Sequence, residues 1–451
     1  MKFFVFAAVV LSLPLCAEPC RSQMIAKDDA FGSVAALLSD VPPADPSVTP
    51  MTLDEAERIA LESNPEIAVA ARRVAMARAH VPVAGALDDP MAMYRGWGVP
   101  LKKPWDYNAA QNMFSLSRTF VSGATRNLRT SVAQSDLDQA QSNLNAVRLD
   151  IRVKLRKAFF DLLASQDETR IHGQHVAIAQ QAIGAARIKY TAGNVPQQDV
   201  LKAQIALTQL AEHMIHFQRD AEVARTRLNT LLGRRPESPI EVRGEHAVLA
   251  PLPPVDSLIA TAMSTRPDLA VAKAAAERSH REQQLANKIY TPNFTLSAGY
   301  MLMPAGQDFR SSYMVEGTMN LPWLNRKKHD AEIAEAAVRA TEQDAELAAL
   351  RNAAGGQIAE ALVEAKSAQK LALLYQQQLK AQAEATLESS VIAYENNKTG
   401  FLDLLDSQMR VIDIDLAGAQ AVGDFDARLA DLEMAIGEPL DKAQQTAQEV
   451  K

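Results

Sequence analysis

The feature that most constrains the fold of this chain is an internal repeat of about 200 residues. The segment 54–70 matches 256–272 at an offset of 202 residues, and the segment 190–233 matches 394–437 at an offset of 204 residues. The matches include residues that a shared helical composition would not repeat, namely Pro65 and Pro267, and Gly233 and Gly437. We therefore predict two copies of one supersecondary unit rather than a single large globular domain.

The repeat divides the chain into six parts. We assign residues 1–17 to a signal peptide (alternatively ending near residue 22), 18–51 to an extended N-terminal segment, 52–235 to the first repeat, 236–254 to a proline-rich linker, 255–440 to the second repeat and 441–451 to a polar C-terminal tail. The linker assignment depends on five prolines that lie between the two copies.

The N-terminus has the pattern of a secretory signal peptide. Lys2 precedes an apolar run over residues 3–15, and the small residue Ala17 follows it. Cys16 and Cys20 are the only cysteines of the chain, so a lipid anchor on one of them is an alternative. Either interpretation places the rest of the chain outside the cytoplasm.

Each copy begins with two helices and then changes its hydrophobic period from helical to two. A short helix starts near Thr52 or Pro254, and a second one follows Pro65 or Pro267, because proline suits the first helical turn. The alternating segments that follow predict strands at Met91–Val99, Asn112–Phe120, Phe294–Leu302 and Tyr313–Leu321.

After its strand pair, each copy has a very long helical stretch without proline. These stretches, Gly123–Tyr190 and Asn325–Tyr394, carry apolar residues at intervals of three or four. Each would extend about 100 Å at 1.5 Å per residue, which indicates coiled-coil packing. Turns at 191–197 and 395–399 lead into a returning helix. The predicted chain is mainly α-helical and elongated.

Composition excludes several classes of function. Apolar residues make up 47% of the chain but aromatic residues only 5%, and the net charge is −7 without runs of lysine or arginine. The charge argues against a nucleic-acid partner. No Ser/His/Asp order, phosphate-binding loop or HExxH motif occurs. We therefore predict neither an enzyme nor a bound cofactor.

The four predicted strands raise a question of closure. Each has about the length that a tilted membrane-crossing strand needs, but the smallest single-chain barrels have eight strands. An open sheet edge in lipid would leave backbone groups unpaired. Either several chains pool their strands into one membrane barrel, or the strands form a small soluble sheet beside a helical bundle.

At this point the sequence resembles the outer-membrane efflux (TolC-type) family. The most specific elements are Tyr190–Leu201 (YTAGNVPQQDVL) and Tyr394–Leu405 (YENNKTGFLDLL), together with the order of elements around them. Three further segments are more similar to the heavy-metal efflux branch: Asp89–Pro100, Pro292–Met301 and Asn320–Trp323. The resemblance implies a homotrimer whose four strands per chain close a twelve-stranded barrel on an α-helical tunnel.

The resemblance also implies where function resides. Asp403 and Asp406 match the positions that ring the periplasmic constriction, although they could equally be helix N-terminal acids stabilised by the dipole. Thr399 stands where the family has an arginine that locks the closed state. The turns would be the tips that meet a periplasmic adaptor protein: Gly193, Asn194, Val195, Pro196, Asn397, Lys398, Thr399 and Gly400.

Four histidines suggest a separate hypothesis. His172 and His175 precede the first turn by about the same distance at which His213 and His216 follow it. An antiparallel hairpin would bring the four imidazoles to one height, where they could bind a transition metal or act as a proton-sensitive cluster. The alternative is four solvated polar residues. Methionine pairs in the predicted strands, Met91/Met93 and Met301/Met303, could contact Cu(I) or simply pack.

The resemblance gives the predicted function. We expect an outer-membrane channel with a long periplasmic part that completes a tripartite system with an adaptor and an inner-membrane pump, and that exports heavy-metal cations. Export of drugs or type I protein secretion is the alternative. A non-pore periplasmic coiled-coil protein is a second alternative.

Overall fold

A computed structural model describes residues 50–106, 108–193, 195–304, 306, 311–396 and 398–440. The predicted signal peptide, both cysteines, most of the extended N-terminal segment and the polar tail lie outside these residues. Within them, helices dominate both halves, and the strands form a single sheet.

The first repeat follows the predicted order. Its elements are α1 Leu53–Ser63, α2 Pro65–Gly85, β1 Met91–Trp97, β2 Gln111–Phe120, α3 Gly123–Thr191 and α4 Gln197–Leu231. Side chains fix the helix starts. Thr52 and Glu55 form a capping box at α1, and the Asn64 side chain caps α2 ahead of Pro65.

The second repeat has the same order with one interruption. Its elements are α5 Val255–Thr265, α6 Pro267–Ala286, β3 Phe294–Leu302, β4 Ser311–Met319, α7 Arg326–Leu374, α8 Lys380–Glu395 and α9 Phe401–Ile436. A 3-10 turn, Pro322–Asn325, precedes α7. A π-helical segment, Tyr375–Leu379, separates α7 from α8 where one continuous helix was expected.

Two strands end earlier than predicted, and β2 and β4 begin one and two residues earlier than predicted. The predicted first strand reached Val99, but β1 ends at Trp97 because Gly98 has a φ of 69°. The predicted fourth strand reached Leu321, but β4 ends at Met319 and Leu321 caps the 3-10 turn that Pro322 begins. Proline lacks the N–H group that would continue a ladder.

The four strands form one antiparallel sheet in the order β1-β2-β3-β4. The two repeats therefore meet edge to edge at β2 and β3, where Asn112 pairs with Leu302 and Phe120 with Phe294. β1 and β4 are the open edges, each paired on one side among the described strands.

Each repeat has its own apolar core, which lies along its long helices away from the turns. Ala56, Leu155, Phe159 and Leu228 are buried together in the first repeat, and Leu258, Ile358, Leu362 and Leu432 are buried together in the second. A third cluster lies towards the turns and joins the two hairpins, with Ile183 of α3 and Phe401 of α9 among its members. The paired cores confirm the mainly helical, duplicated fold.

The linker between the repeats is packed rather than free. Met51 and Val242 form a parallel β-bridge, and Ile240 and Val242 are buried in the core of the first repeat. Among the residues that the structure describes, no helix combines the length and apolar character that crossing a membrane requires.

Candidate functional site

The turn of the first hairpin is fixed by one glycine. Gly193 has a φ of 76°, and its N–H donates to the Tyr190 carbonyl at 2.9 Å. Pro196 then caps α4 with an extended backbone. Gly193 and Pro196 are exposed and Val195 is half-buried, while Asn194 lies outside the described residues.

The turn of the second hairpin has a different construction. The Lys398 N–H donates to the Ala393 carbonyl at 2.8 Å, and Gly400 caps α9 with a φ of −78°. That φ is open to any residue, so Gly400 is not required by the backbone. Lys398 is exposed, while the Thr399 hydroxyl is buried without a hydrogen-bond partner in the described chain. Asn397 is outside the described residues.

The two predicted pore carboxylates are both exposed. Asp403 also accepts a hydrogen bond of 3.4 Å from the Gly400 N–H, so it is a helix N-terminal acid as well as a surface charge. Asp406 makes no hydrogen bond or ion pair with a described residue, so helix capping does not account for it. The repeat partner of Asp403 is Asp199, which is buried. The two turns are therefore not electrostatically equivalent.

An aromatic contact links the two hairpins beside these turns. The Lys189 ammonium lies 3.8 Å from the centre of the Tyr394 ring. The same ring lies edge-on to Phe401, with centroids 6.0 Å apart. A cation over a tyrosine face is attracted by the ring quadrupole, so this contact holds α3 against α8 close to the position of Thr399.

The structure gives different surroundings to the four histidines that the sequence placed at one height. His172 is fully buried, with its Nε2 2.6 Å from the Leu210 carbonyl oxygen and its ring 6.0 Å from that of His213. His175 instead lies 3.2 Å from Asp415, and His216 is exposed. Burial lowers the pKa of His172. Across the described residues, no three His, Cys, Asp or Glu side chains converge on a potential metal site.

The sequence pattern does not indicate that the half-buried His246 of the linker has two carboxylate partners. His246 lies between α3 and α9, with its Nδ1 2.6 Å from Asp426 and its Nε2 3.1 Å from Asp167. Hydrogen bonds to Asp167 and Asp426 raise its pKa to about 9. The partners are 79 and 180 residues away in sequence, so no local spacing could reveal them. A protonated imidazole therefore clamps the linker to both repeats.

The sheet presents two chemically different faces. On one face an aromatic row crosses all four strands, because Tyr94, Phe114, Tyr300 and Tyr313 are direct register partners. All four are exposed, from 39% for Tyr300 to 88% for Tyr313. Aliphatic residues of β3, Leu296 and Ala298, continue this face.

A second apolar row borders the same face at the helical end of the sheet. Phe120, Phe294 and Met319 are register partners and are exposed. Phe294 and Tyr300 are six residues apart on β3, or about 20 Å at the rise of a strand. An apolar band bordered by aromatic rows is typical of the lipid-facing side of outer-membrane strands.

On β2 and β3 the opposite face of the sheet is mainly polar and less exposed. It carries Thr119 and Thr295, whose hydroxyls are 2.8 Å apart, together with Ser115, Ser117 and Ser297. Apolar residues outward and hydroxyl residues inward are the pattern expected of strands that separate lipid from water.

Long helical hairpins joined to such a sheet define a channel-forming envelope protein. The family described as outer membrane efflux protein matches residues 58–234 and 258–438, which are nearly the whole of both repeats. The chain belongs to the outer membrane efflux protein family. It is an outer-membrane efflux channel and not an enzyme, which confirms the predicted resemblance and sets aside a non-pore structural protein.

Individual relatives match this chain over most of their length. The chain is 22% identical over 359 residues to the cobalt-zinc-cadmium resistance protein CzcC of Cupriavidus metallidurans, covering 80% of this chain and 83% of that protein. A crystal structure of CusC matches with a TM-score of 0.73 at 16% identity, covering 86% and 92% of the two chains. VceC of Vibrio cholerae matches with a TM-score of 0.71 at 17% identity, covering 86% and 96%.

Proposed function

We propose that this chain forms a passive homotrimeric duct that exports heavy-metal cations across the outer membrane. The observation that carries the proposal is the two-faced sheet with open edges at β1 and β4. A lipid-facing sheet cannot leave those edges unpaired, and three chains would supply twelve strands, which is enough to close a barrel. The similarity to a cobalt-zinc-cadmium resistance protein supports metal cations as the cargo.

The long hairpins would form the periplasmic tunnel of this duct. An adaptor protein and an inner-membrane pump would complete the system, with the exposed turns at Gly193, Pro196 and Lys398 as the adaptor-contacting tips. Lys398→Glu reverses a charge that has no described partner, so the fold should be kept while adaptor docking weakens. Site-specific cross-linking to the adaptor in cells would measure this. Unchanged cross-linking and metal tolerance would remove Lys398 from the tips.

The exposed carboxylates Asp403 and Asp406 would select cations at the periplasmic constriction. Three copies of each would form stacked acidic rings in the trimer, and such rings favour cations. In planar bilayers, Asp403→Asn with Asp406→Asn should reduce the preference for potassium over chloride. Asp138→Asn on α3 is the matched control, because Asp138 is exposed but far from the turn in sequence. An equal effect in the control would contradict the rings.

Growth assays distinguish the proposed cargo from the alternatives. A deletion strain should lose tolerance to zinc, cobalt and cadmium and should regain it with the wild-type gene. Loss of drug tolerance or of a secreted protein, with metal tolerance unchanged, would instead favour a multidrug or type I secretion duct.

A further inference from the structure

Methionines accumulate on the polar face of the sheet. Met113 of β2 pairs directly with Met301 of β3, and Met314 of β4 pairs with Gly299, two residues along β3 from Met301. On the other side, Met93 of β1 pairs with Ser115, two residues along β2 from Met113. Strand neighbours offset by two positions remain within reach of long side chains. These four residues, the methionine row, therefore cross all four strands on one face.

The aromatic rows show which side of the sheet carries the methionine row. Successive side chains of a strand point to opposite sides, and Phe114 and Tyr300 beside the row lie on the exposed apolar face. Met113 is 7% exposed, and Met301 and Met314 are half-buried. If the apolar face contacts lipid, as the proposed function requires, the methionine row lines the inside of the duct.

Simple packing does not explain this placement. On β2 and β3 the other residues of this face are serine, threonine and glycine, apart from Gln111 at the start of β2. Thioethers are not needed to solvate a wall that faces water. The Ser115 side chain is 7% exposed, and its hydroxyl has no hydrogen-bond partner in the described chain. Because Ser115 is the register partner of Met93, a buried oxygen without a partner lies within the row.

We propose that the methionine row is a binding site for soft monovalent metal cations, Cu(I) or Ag(I), inside the duct. Thioether sulfur is a soft ligand that selects Cu(I)-type ions over hard cations. Two charged residues share this face. Arg95 lies 3.8 Å from the Met93 sulfur, and Glu316 lies on β4 two residues from Met314. The guanidinium disfavours a cation at Met93, so the central sulfurs of Met113, Met301 and Met314 form the site. The Met301 sulfur accepts a hydrogen bond from the Gln111 amide, which a bound metal would displace.

Silver binding to the purified full-length trimer in halide-free buffer tests this site. Calorimetry should show Ag(I) binding to wild type that Met113→Leu/Met301→Leu weakens at least about tenfold, because two ligands are lost while side-chain volume is nearly kept. Met319→Leu is the control, since Met319 lies in β4 on the opposite face. Cys16 and Cys20 are the same in wild type and in both variants, so a difference in Ag(I) affinity reports on the methionine row.

Two outcomes would overturn the site: equal Ag(I) affinity in wild type and in the double variant, or an equal loss in the Met319→Leu control. If the double variant fails to form a trimer, Met314→Leu alone should weaken Ag(I) binding, and an unchanged affinity in that variant would also refute the site. The methionine site rests on the proposed duct, but the site can be refuted while the duct is kept. A deletion strain that loses zinc and cobalt tolerance, with no silver binding by the trimer, keeps the duct and removes the site.

Discussion

At the residue scale, the residues just before the two repeated prolines form a joint with the end of the last helix of each copy, beside the repeated glycines. In the first repeat, the Ser63 hydroxyl donates to the Leu232 carbonyl at 2.9 Å and the Asn64 amide donates to the Leu231 carbonyl at 3.1 Å. Gly233 follows with a φ of 68°, and a Cβ there would lie 3.2 Å from the Ser63 carbonyl oxygen.

The second repeat builds the same joint with different side chains. The Thr265 hydroxyl donates to the Ile436 carbonyl at 2.8 Å, and the Arg266 guanidinium donates to the Ala435 carbonyl at 3.0 Å. Gly437 ends α9 with a φ of 94°. The joint therefore explains why the glycine repeats while the donor side chains differ, since these hydrogen bonds end on backbone carbonyls.

We expect Gly437→Ala to destabilise the fold by about 1–3 kcal/mol or more, because its left-handed backbone is strained for alanine. The added Cβ would also lie 2.8 Å from the Arg266 Cα, which is backbone and cannot move aside. Urea unfolding followed by helical circular dichroism would measure the loss. Gly400→Ala is the matched control, with a φ of −78° and open space around it. Equal midpoints for both variants would contradict the strain.

The His246 clamp predicts a defined pH dependence. Its folded pKa of about 9 lies above the ordinary 6.5, so its contribution to stability is full below about pH 6.5 and is lost as the pH rises through about 9. We expect the stability difference between wild type and His246→Gln to be large at pH 6 and small above pH 9.5. Thermal unfolding across this pH range would measure it, and a difference independent of pH would show that the histidine is not charged.

A second titrating group acts in a lower window and does not disturb that comparison. Burial, with Asp220 and Asp424 nearby, raises the pKa of Glu168 to about 7. As the pH rises from its ordinary pKa of 4.5 to about 7, its ionisation progressively lowers the free energy of unfolding, and this loss stays constant at higher pH. Because wild type and His246→Gln share Glu168, the difference between them retains the histidine contribution alone.

At the element scale, the π-helical segment accommodates one extra residue in the long helical stretch of the second repeat. The helix α3 has 69 residues, whereas α7, the π-helical segment and α8 have 49, 5 and 16, which makes 70 from Arg326 to Glu395. Before the segment, buried Leu155 matches buried Ile358 at an offset of 203, and after it buried Ala179 matches Ala383 at an offset of 204. One inserted residue is thus absorbed locally.

Deleting Gln377 from this segment should therefore be tolerated. The deletion would restore a regular helix and leave the buried faces of α7 and α8 in register. Deleting the exposed Glu388 in α8 should not be tolerated, because it would rotate by about 100° either the residues after it or the buried Ala383. The yield of heat-resistant trimer on denaturing gels would measure both. Equal yields would contradict an insertion.

The same elements show what the sequence could predict. Strand β3 agrees with its predicted bounds, Phe294–Leu302, because alternation is a local signal that needs no tertiary information. The π-helical segment was missed, because one extra residue in a stretch rich in alanine and glutamine barely disturbs a periodicity of three or four. The site at His246 was missed because its two carboxylates come from different repeats, 79 and 180 residues away from the histidine. The methionine row was missed because strand register joins residues that are far apart in sequence.

At the scale of the whole molecule, the open edges decide the assembly. The strands alternate in direction, so β1 of one chain and β4 of the next would be antiparallel and could pair in the same way as the strands within the chain. An even number of strands per chain keeps that alternation around a closed ring. Pairing between chains would also satisfy every edge, which the hydrocarbon region requires.

Disulfide cross-linking would test this closure directly. Ala92 of β1 and Val315 of β4 are near the middle of the two edges, on the apolar face. Cysteines at Ala92 with Tyr313, Val315 or Gly317 sample three registers. In one register, oxidation in outer membranes should give covalent dimers and trimers on non-reducing gels, because facing Cβ atoms about 4.5–5.5 Å apart lie within disulfide reach.

Single-cysteine chains set the background for that experiment. Ala92→Cys alone places a cysteine on β1 but none on the β4 edge that would face it, so this variant should remain monomeric after oxidation. Any product that the native cysteines, Cys16 and Cys20, give will also form in wild type. A covalent ladder in only one double variant would fix the register between chains and the strand count of the barrel at three times four. Monomers in all three double variants, in membranes where the chain is inserted, would mean that β1 and β4 do not meet, and the proposed trimeric barrel would be wrong.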